Sequence, residues 1–185
     1  GPKYWQLQVD YTISARLDPG TALVTGHETV AIHNTSDSAM RVLVLRLDQN
    51  LFAPNVPRAE TVTEITDGMK LTRLLVDGTP IDLSAARTAQ QLTQTVARIP
   101  LAAPIAAHAT ATLEADWSFH VPEVTPPERG LRMGRWGHRL FQVAQWYPQV
   151  AVFDDLRAGG WDTDPYLGPS EVYNNFGHFD VRLDL

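Results

Sequence analysis

The sequence predicts an all-β fold, an antiparallel pair of packed sheets with a saddle or sandwich shape. Three observations predict it. Apolar and polar residues alternate with a period of two over several long runs. Turn residues punctuate those runs at short intervals. No window carries a sustained helical repeat, because the alanines at 85–86 and 102–111 are interrupted by polar residues or proline before three turns can form.

The elements follow in order. Residues 4–17 place Leu7, Val9, Tyr11, Ile13 and Ala15 on one face of a half-buried strand. Asp18-Pro19-Gly20 is a turn, with proline presetting its own φ and glycine free to take a positive one. A second strand spans 22–33 and ends at the polar cluster Asn34-Thr35-Ser36-Asp37. A third spans 40–47. The three read as an antiparallel meander. Residues 50–58 hold two prolines and read as a loop. Short strands are expected at 61–65 and 71–76, and Asp77-Gly78 suits a tight hairpin turn into Ile81-Asp82-Leu83. Residues 91–99 alternate less cleanly, 100–104 read as a connection, and 110–119 read as a strand. Proline is dense over 121–130, which predicts a mobile loop. The last run, 179–185, alternates again.

Composition bounds the function. The 185 residues make one large domain, or one and a small extra, able to bury a real core. A net charge of -6 leaves no basic stripe for phosphates, so no nucleic-acid partner is expected. No apolar run approaches the roughly 20 residues of a membrane-spanning helix, so no membrane insertion is expected of this segment. The absence of cysteine excludes disulfides, thiolate zinc sites and a cysteine nucleophile. Gly1-Pro2-Lys3 resembles the residue of a tag-cleaving protease, and the strand pattern running to Leu185 predicts a domain cut from a longer polypeptide.

Candidate chemistry is sparse. His27-Glu28 begins a zinc-helix pattern, but the position for the second histidine is Ala31, and His33 would lie ~20 Å along a strand. Both histidines and Glu28 therefore read as a solvated strand face. His178 and Asp180 share one strand face and read as a structural pair. Asp154, Asp155, Asp162 and Asp164 flank Gly159-Gly160 without calcium-loop spacing and read as turn and capping residues. Ser170 lacks a nucleophile elbow. Asn34-Thr35-Ser36 is a formal glycosylation sequon. Trp117, Trp136, Trp146 and Trp161 offer either core packing or a sugar-stacking platform, the latter being the mark of a free-standing carbohydrate-binding module. No metal ligand set is expected within the segment.

The stretch from Phe141 to Asp180 is the most specific. It contains Gln145-Trp146-Tyr147-Pro148, Val152-Phe153-Asp154-Asp155, Gly160-Trp161, Tyr166-Leu167-Gly168, Glu171-Val172-Tyr173 and Phe176-Gly177-His178-Phe179-Asp180-Val181. These residues resemble the N-terminal β-domain of bacterial aminopeptidase N-like zinc metallopeptidases, of the gluzincin family. Tyr4-Trp5-Gln6, Gly26-His27-Glu28-Thr29-Val30 and Asn34 agree with its opening strands more generically. The resemblance covers nearly the whole chain. It implies residues 1–185 as a single β-domain that packs on a catalytic domain of the same polypeptide and closes its substrate cleft. Zinc and the hydrolysis of N-terminal peptide bonds would belong to that other domain, since His-Glu-x-x-His is missing here. A further implied alternative is a parent that keeps the fold without the metal. The resemblance also implies that Gln142 or Gln145 accepts hydrogen bonds from the amino group of a peptide substrate. It implies that Trp146, Tyr147 and Trp161 pack near the catalytic domain, and that the compartment is periplasmic or secreted.

Overall fold

The computed structural model describes residues 4–62, 64–85, 92–125, 133–157, 159–169 and 173–185. The fold is all-β, as the alternation predicts. A six-stranded sheet has the order β11-β1-β2-β7-β4-β5, from Phe179–Asp184, Gln8–Asp18, Leu23–His33, Thr110–His120, Lys70–Val76 and Thr79–Pro80. A three-stranded sheet has the order β10-β3-β6, from Gln149–Val150, Met40–Arg46 and Val96–Ile105. Met133–Trp136 (β8) and Leu140–Val143 (β9) form a separate hairpin. The pairings are antiparallel except β1 with β11, which run parallel with Tyr11 opposite Phe179.

Alternation explains the interior. The inward rows are Val9, Tyr11, Ile13 and Ala15 on β1, Val24, Glu28, Val30 and Ile32 on β2, and Leu113, Ala115, Trp117 and Phe119 on β7. They join Leu43, Val44, Leu45, Ala97 and Ile99 of the smaller sheet in one core. Gly26 sits in the β2 row because the Trp117 indole fills the space where a Cβ would stand, 2.1 Å from Cζ2. Burying such side chains stabilises by roughly 1.5–3 kcal/mol each.

Four expectations are corrected. The opening meander ends after two strands, because β2 pairs onward with β7 and β3 starts the other sheet. Asn34 makes this switch: its buried amide donates to the Ser38 and Ala106 carbonyls at 2.8 and 2.9 Å and lifts the chain out of the first sheet. The same burial closes the sequon to modification in the fold. Residues 100–104, read as a connection, continue β6. Pro100 and Pro104 are tolerated there because β6 is an edge strand, which needs no donor on its open side. The described residues of 61–65 carry no strand. The hairpin at Asp77-Gly78 forms as expected, both residues having positive φ (48° and 74°), but its return strand is only Thr79–Pro80. Gln91, Ser170, Glu171, Val172 and residues 126–130 of the proline-dense loop lie outside the described residues. Among the described residues, no helix is long and apolar enough to cross a membrane.

Candidate functional site

The sequence singles out 141–180, and there the core opens to the surface. β9 leads into the turn Ala144–Pro148, which lays Trp146 and Tyr147 across the inward face of β1 and β7. The rings form a continuous series. Trp117 lies 5.8 Å from Trp146, Trp146 lies 5.1 Å from Tyr147, and Tyr147 meets Tyr11 edge-on at 5.4 Å. Tyr11 then stacks on Phe179 of β11 at 4.9 Å and 8°. The series starts in the core and ends on a ring that is half exposed.

Beyond Phe179 the same face of β11 continues with Val181, Leu183 and Leu185. Nothing covers it among the described residues: Leu183 is 60% and Leu185 85% exposed. These two leucines border a groove of about 220 Å³ whose other walls include Leu17, Val24, Phe141, Val143 and Trp146, with Arg16 as its one charged residue. Contiguous exposed apolar surface of this kind marks an interaction surface. Gly177 allows β11 to reach β1, since a Cβ there would fall 1.6 Å from the Val9 carbonyl oxygen.

The two glutamines have different surroundings. Gln142 sits on β9 opposite Gly134 with its side chain exposed. Gln145 occupies the turn at φ 45°, a left-handed conformation that costs a non-glycine residue roughly 1 kcal/mol or more. Buried Gln49 holds that turn, its Nε2 donating to the Ala144 carbonyl at 2.8 Å and the Gln145 carbonyl at 3.3 Å. The Gln145 Oε1 is buried and accepts no hydrogen bond. Trp146 and Tyr147 are half-buried at the base of the open face. Trp161 is elsewhere, buried to 8% exposure against Phe153 at 4.8 Å. The tryptophans make no exposed platform: Trp117 and Trp161 are buried, and Trp5, Trp136 and Trp146 are half-buried.

Glu28 is a correction to the solvated-face reading. Only His27 and His33 face outward. His27 meets Asp116 at 2.5 Å, and His33 meets Asp10 at 3.0 Å and Thr110 at 2.9 Å. Glu28 is 0% exposed, and neither carboxyl oxygen has a hydrogen-bond partner. Burial pushes its carboxyl well above the usual range, so it is held protonated. Burial and then Glu28 raise the Tyr147 hydroxyl to about 12. The signal was present in the sequence, because position 28 shares the inward parity of Val24, Val30 and Ile32.

The acidic cluster does the turn work expected of it, and more. Asp154 accepts from the Leu156 amide at 3.0 Å and from the Tyr173 hydroxyl at 2.5 Å. Asp162 accepts from the Asp164 amide at 3.3 Å. Asp162 also meets buried Arg46 at 3.6 Å, and Arg46 meets Asp48 at 3.4 Å. Burial raises Asp48 to about 6 against the pull of Arg46. His178 uses its backbone amide, which donates to Asp10 at 2.9 Å. Among the described residues no three histidine, aspartate or glutamate side chains are grouped to hold a metal ion. The donor set of these residues does not fit zinc.

No protein-family model and no curated protein matches the chain. Solved structures do. It is similar to the M1 zinc metallopeptidase from Deinococcus radiodurans, at 15% identity and a TM-score of 0.42, over 70% of this chain and 24% of that one. A mutant of that protein bound to a Tyr-Ser-Ala substrate gives 15% and 0.43, over 71% and 25%. A two-domain M1 zinc metallopeptidase mutant bound to L-tryptophan gives the same four values. The chain spans about a quarter of the length of these structures.

Proposed function

We propose that residues 1–185 are the non-catalytic N-terminal β-domain of a zinc aminopeptidase-like protein. The domain packs on the catalytic domain of the same polypeptide and walls its substrate cleft. One observation carries this reading: the apolar face of β11 and the adjoining groove continue the core outward and stay uncovered. A surface of this composition fits a permanent neighbour better than a soluble ligand, because its walls offer few polar groups to orient a small molecule. Of the residues that carry the family resemblance, Trp146, Tyr147, Phe179 and Val181 lie along this face.

In this reading the domain neither holds zinc nor breaks a bond. Its contribution is positioning. Gln142 is the glutamine that meets the substrate, since its carboxamide is exposed and can accept from an ammonium group. Gln145 shapes the turn that carries Trp146 and Tyr147. The test has two arms. The isolated chain, given zinc and aminoacyl chromogenic substrates, is expected to show no turnover; zinc-dependent turnover would refute the reading. In the full polypeptide, Gln142→Ala is expected to raise KM several-fold with little change in Tm, and an unchanged KM would remove Gln142 from the site.

A further inference from the structure

β11 has a second unused surface, distinct from its apolar face: its hydrogen-bonding edge. In the parallel ladder with β1, the Tyr11 amide donates to the His178 carbonyl at 2.8 Å, and Tyr11 lies opposite Phe179. This register directs the backbone groups of residues 178, 180, 182 and 184 at β1. The amides and carbonyls of Phe179, Val181 and Leu183 therefore point away from the sheet. β11 is the last strand on its side, so these groups form an open edge among the described residues. The strand is six residues long and has no proline or bulge to blunt that edge.

We propose that this edge pairs with the same edge of a second copy of the chain, antiparallel about a two-fold axis at Val181. Backbone geometry requires outward-pointing residues to face one another, and side-chain charge selects among the registers that satisfy it. Val181 on the partner's Val181, and Phe179 on the partner's Leu183, place the outward-pointing amides and carbonyls opposite one another as hydrogen-bonded pairs. The intervening close pairs then set Asp180 against the partner's Arg182 and Arg182 against the partner's Asp180. Neither side chain has an ion pair within its own chain among the described residues, whereas Asp184 already meets Arg16 at 3.7 Å. Centring the pair on Arg182 instead would oppose Arg182 to itself and Asp180 to the partner's Asp184, which charge repulsion disfavours. The dimer joins two six-stranded sheets into one. It goes beyond the domain-packing reading, because it uses the strand's edge rather than its side-chain face.

The test is sedimentation equilibrium of the 185-residue chain over a range of micromolar concentrations. A monomer–dimer equilibrium is expected. Arg182→Asp sets two pairs of like charges across the axis and is expected to weaken association by roughly tenfold or more. Adding Asp180→Arg to it reverses both signs and is expected to restore association. Both positions are exposed, so circular dichroism should show an unchanged fold. A wild-type chain that stays monomeric throughout would overturn the proposal. So would a dimer indifferent to Arg182→Asp, or a double variant that stays as weak as the single one.

Discussion

The six-stranded sheet ends differently on its two sides. On one side the last strand is β5, two exposed residues of which one is Pro80. It has almost no length to offer another strand, and proline removes a donor. On the other side the last strand is β11, six residues with a full set of backbone groups on its open edge and an apolar row on its inward face. One side is built to stop a sheet, and the other still has the surface to continue one. The functional reading follows from this asymmetry.

The largest way to break the comparison is to detach β11 from the core. Tyr11 carries the Phe179 ring, packs on Tyr147, and accepts from the Val150 amide at 2.9 Å. Tyr11→Ala is expected to cost about 3–5 kcal/mol in urea denaturation. It should also speed amide exchange in β11 while leaving β4 and β5 protected. Equal loosening at both edges would remove the special standing of the aromatic series.

A second test works through pH. Glu28 and Asp48 both have folded-state pKa values above those of the unfolded chain. Each therefore holds a proton in the fold that the unfolded chain releases, and stability falls as pH rises above about 4. The Asp48 part ends near pH 6, and the Glu28 part ends at that group's own raised pKa. The slope is about 1.4 kcal/mol per pH unit for each group while its folded form stays protonated and its unfolded form does not. Glu28→Gln is expected to be more stable than wild type at pH 8 and to flatten the profile above about pH 4. An unaltered profile would mean that Glu28 is not the buried acid.

Smaller effects separate the two edges. Phe179→Ala removes a stacked ring at a half-exposed site and should cost about 0.5–1.5 kcal/mol. Val181→Asp should change stability by no more than about 0.5 kcal/mol yet sharply reduce binding of a hydrophobic dye. Pro80→Thr at the opposite edge should leave dye binding unchanged. Equal dye responses at β5 and β11 would contradict the asymmetry.

Much of this was legible in the chain. The period of two in 4–17, 22–33 and 110–119 identified the three central strands, because one face of each is buried and the other wet. Asp77-Gly78 identified its turn by the backbone angles it must adopt. Local pattern did not reveal partnership. β1 pairs with β2 and also with β11, more than 160 residues away along the chain, and no local signal encodes a parallel pairing at that distance. Pro100 and Pro104 hid a strand because proline forbids a central position but not an edge. Glu28 was hidden by its charge, although its parity was correct. Of the site residues, Trp146 and Tyr147 lie beside the open face and Gln142 is exposed on β9 between the groove-lining Phe141 and Val143, while Trp161 is core, since a buried tryptophan and an interface tryptophan look alike in sequence.

The central claim is that β11 and its groove are one half of an interface whose other half lies in the same polypeptide. Hydrogen exchange tests it most directly, comparing the full polypeptide with the 185-residue chain, the latter kept monomeric by Arg182→Asp. The account expects slower exchange in the full polypeptide at residues 179–185 and 140–143, with β4 and β5 unchanged. Identical exchange along β11 in both would contradict it.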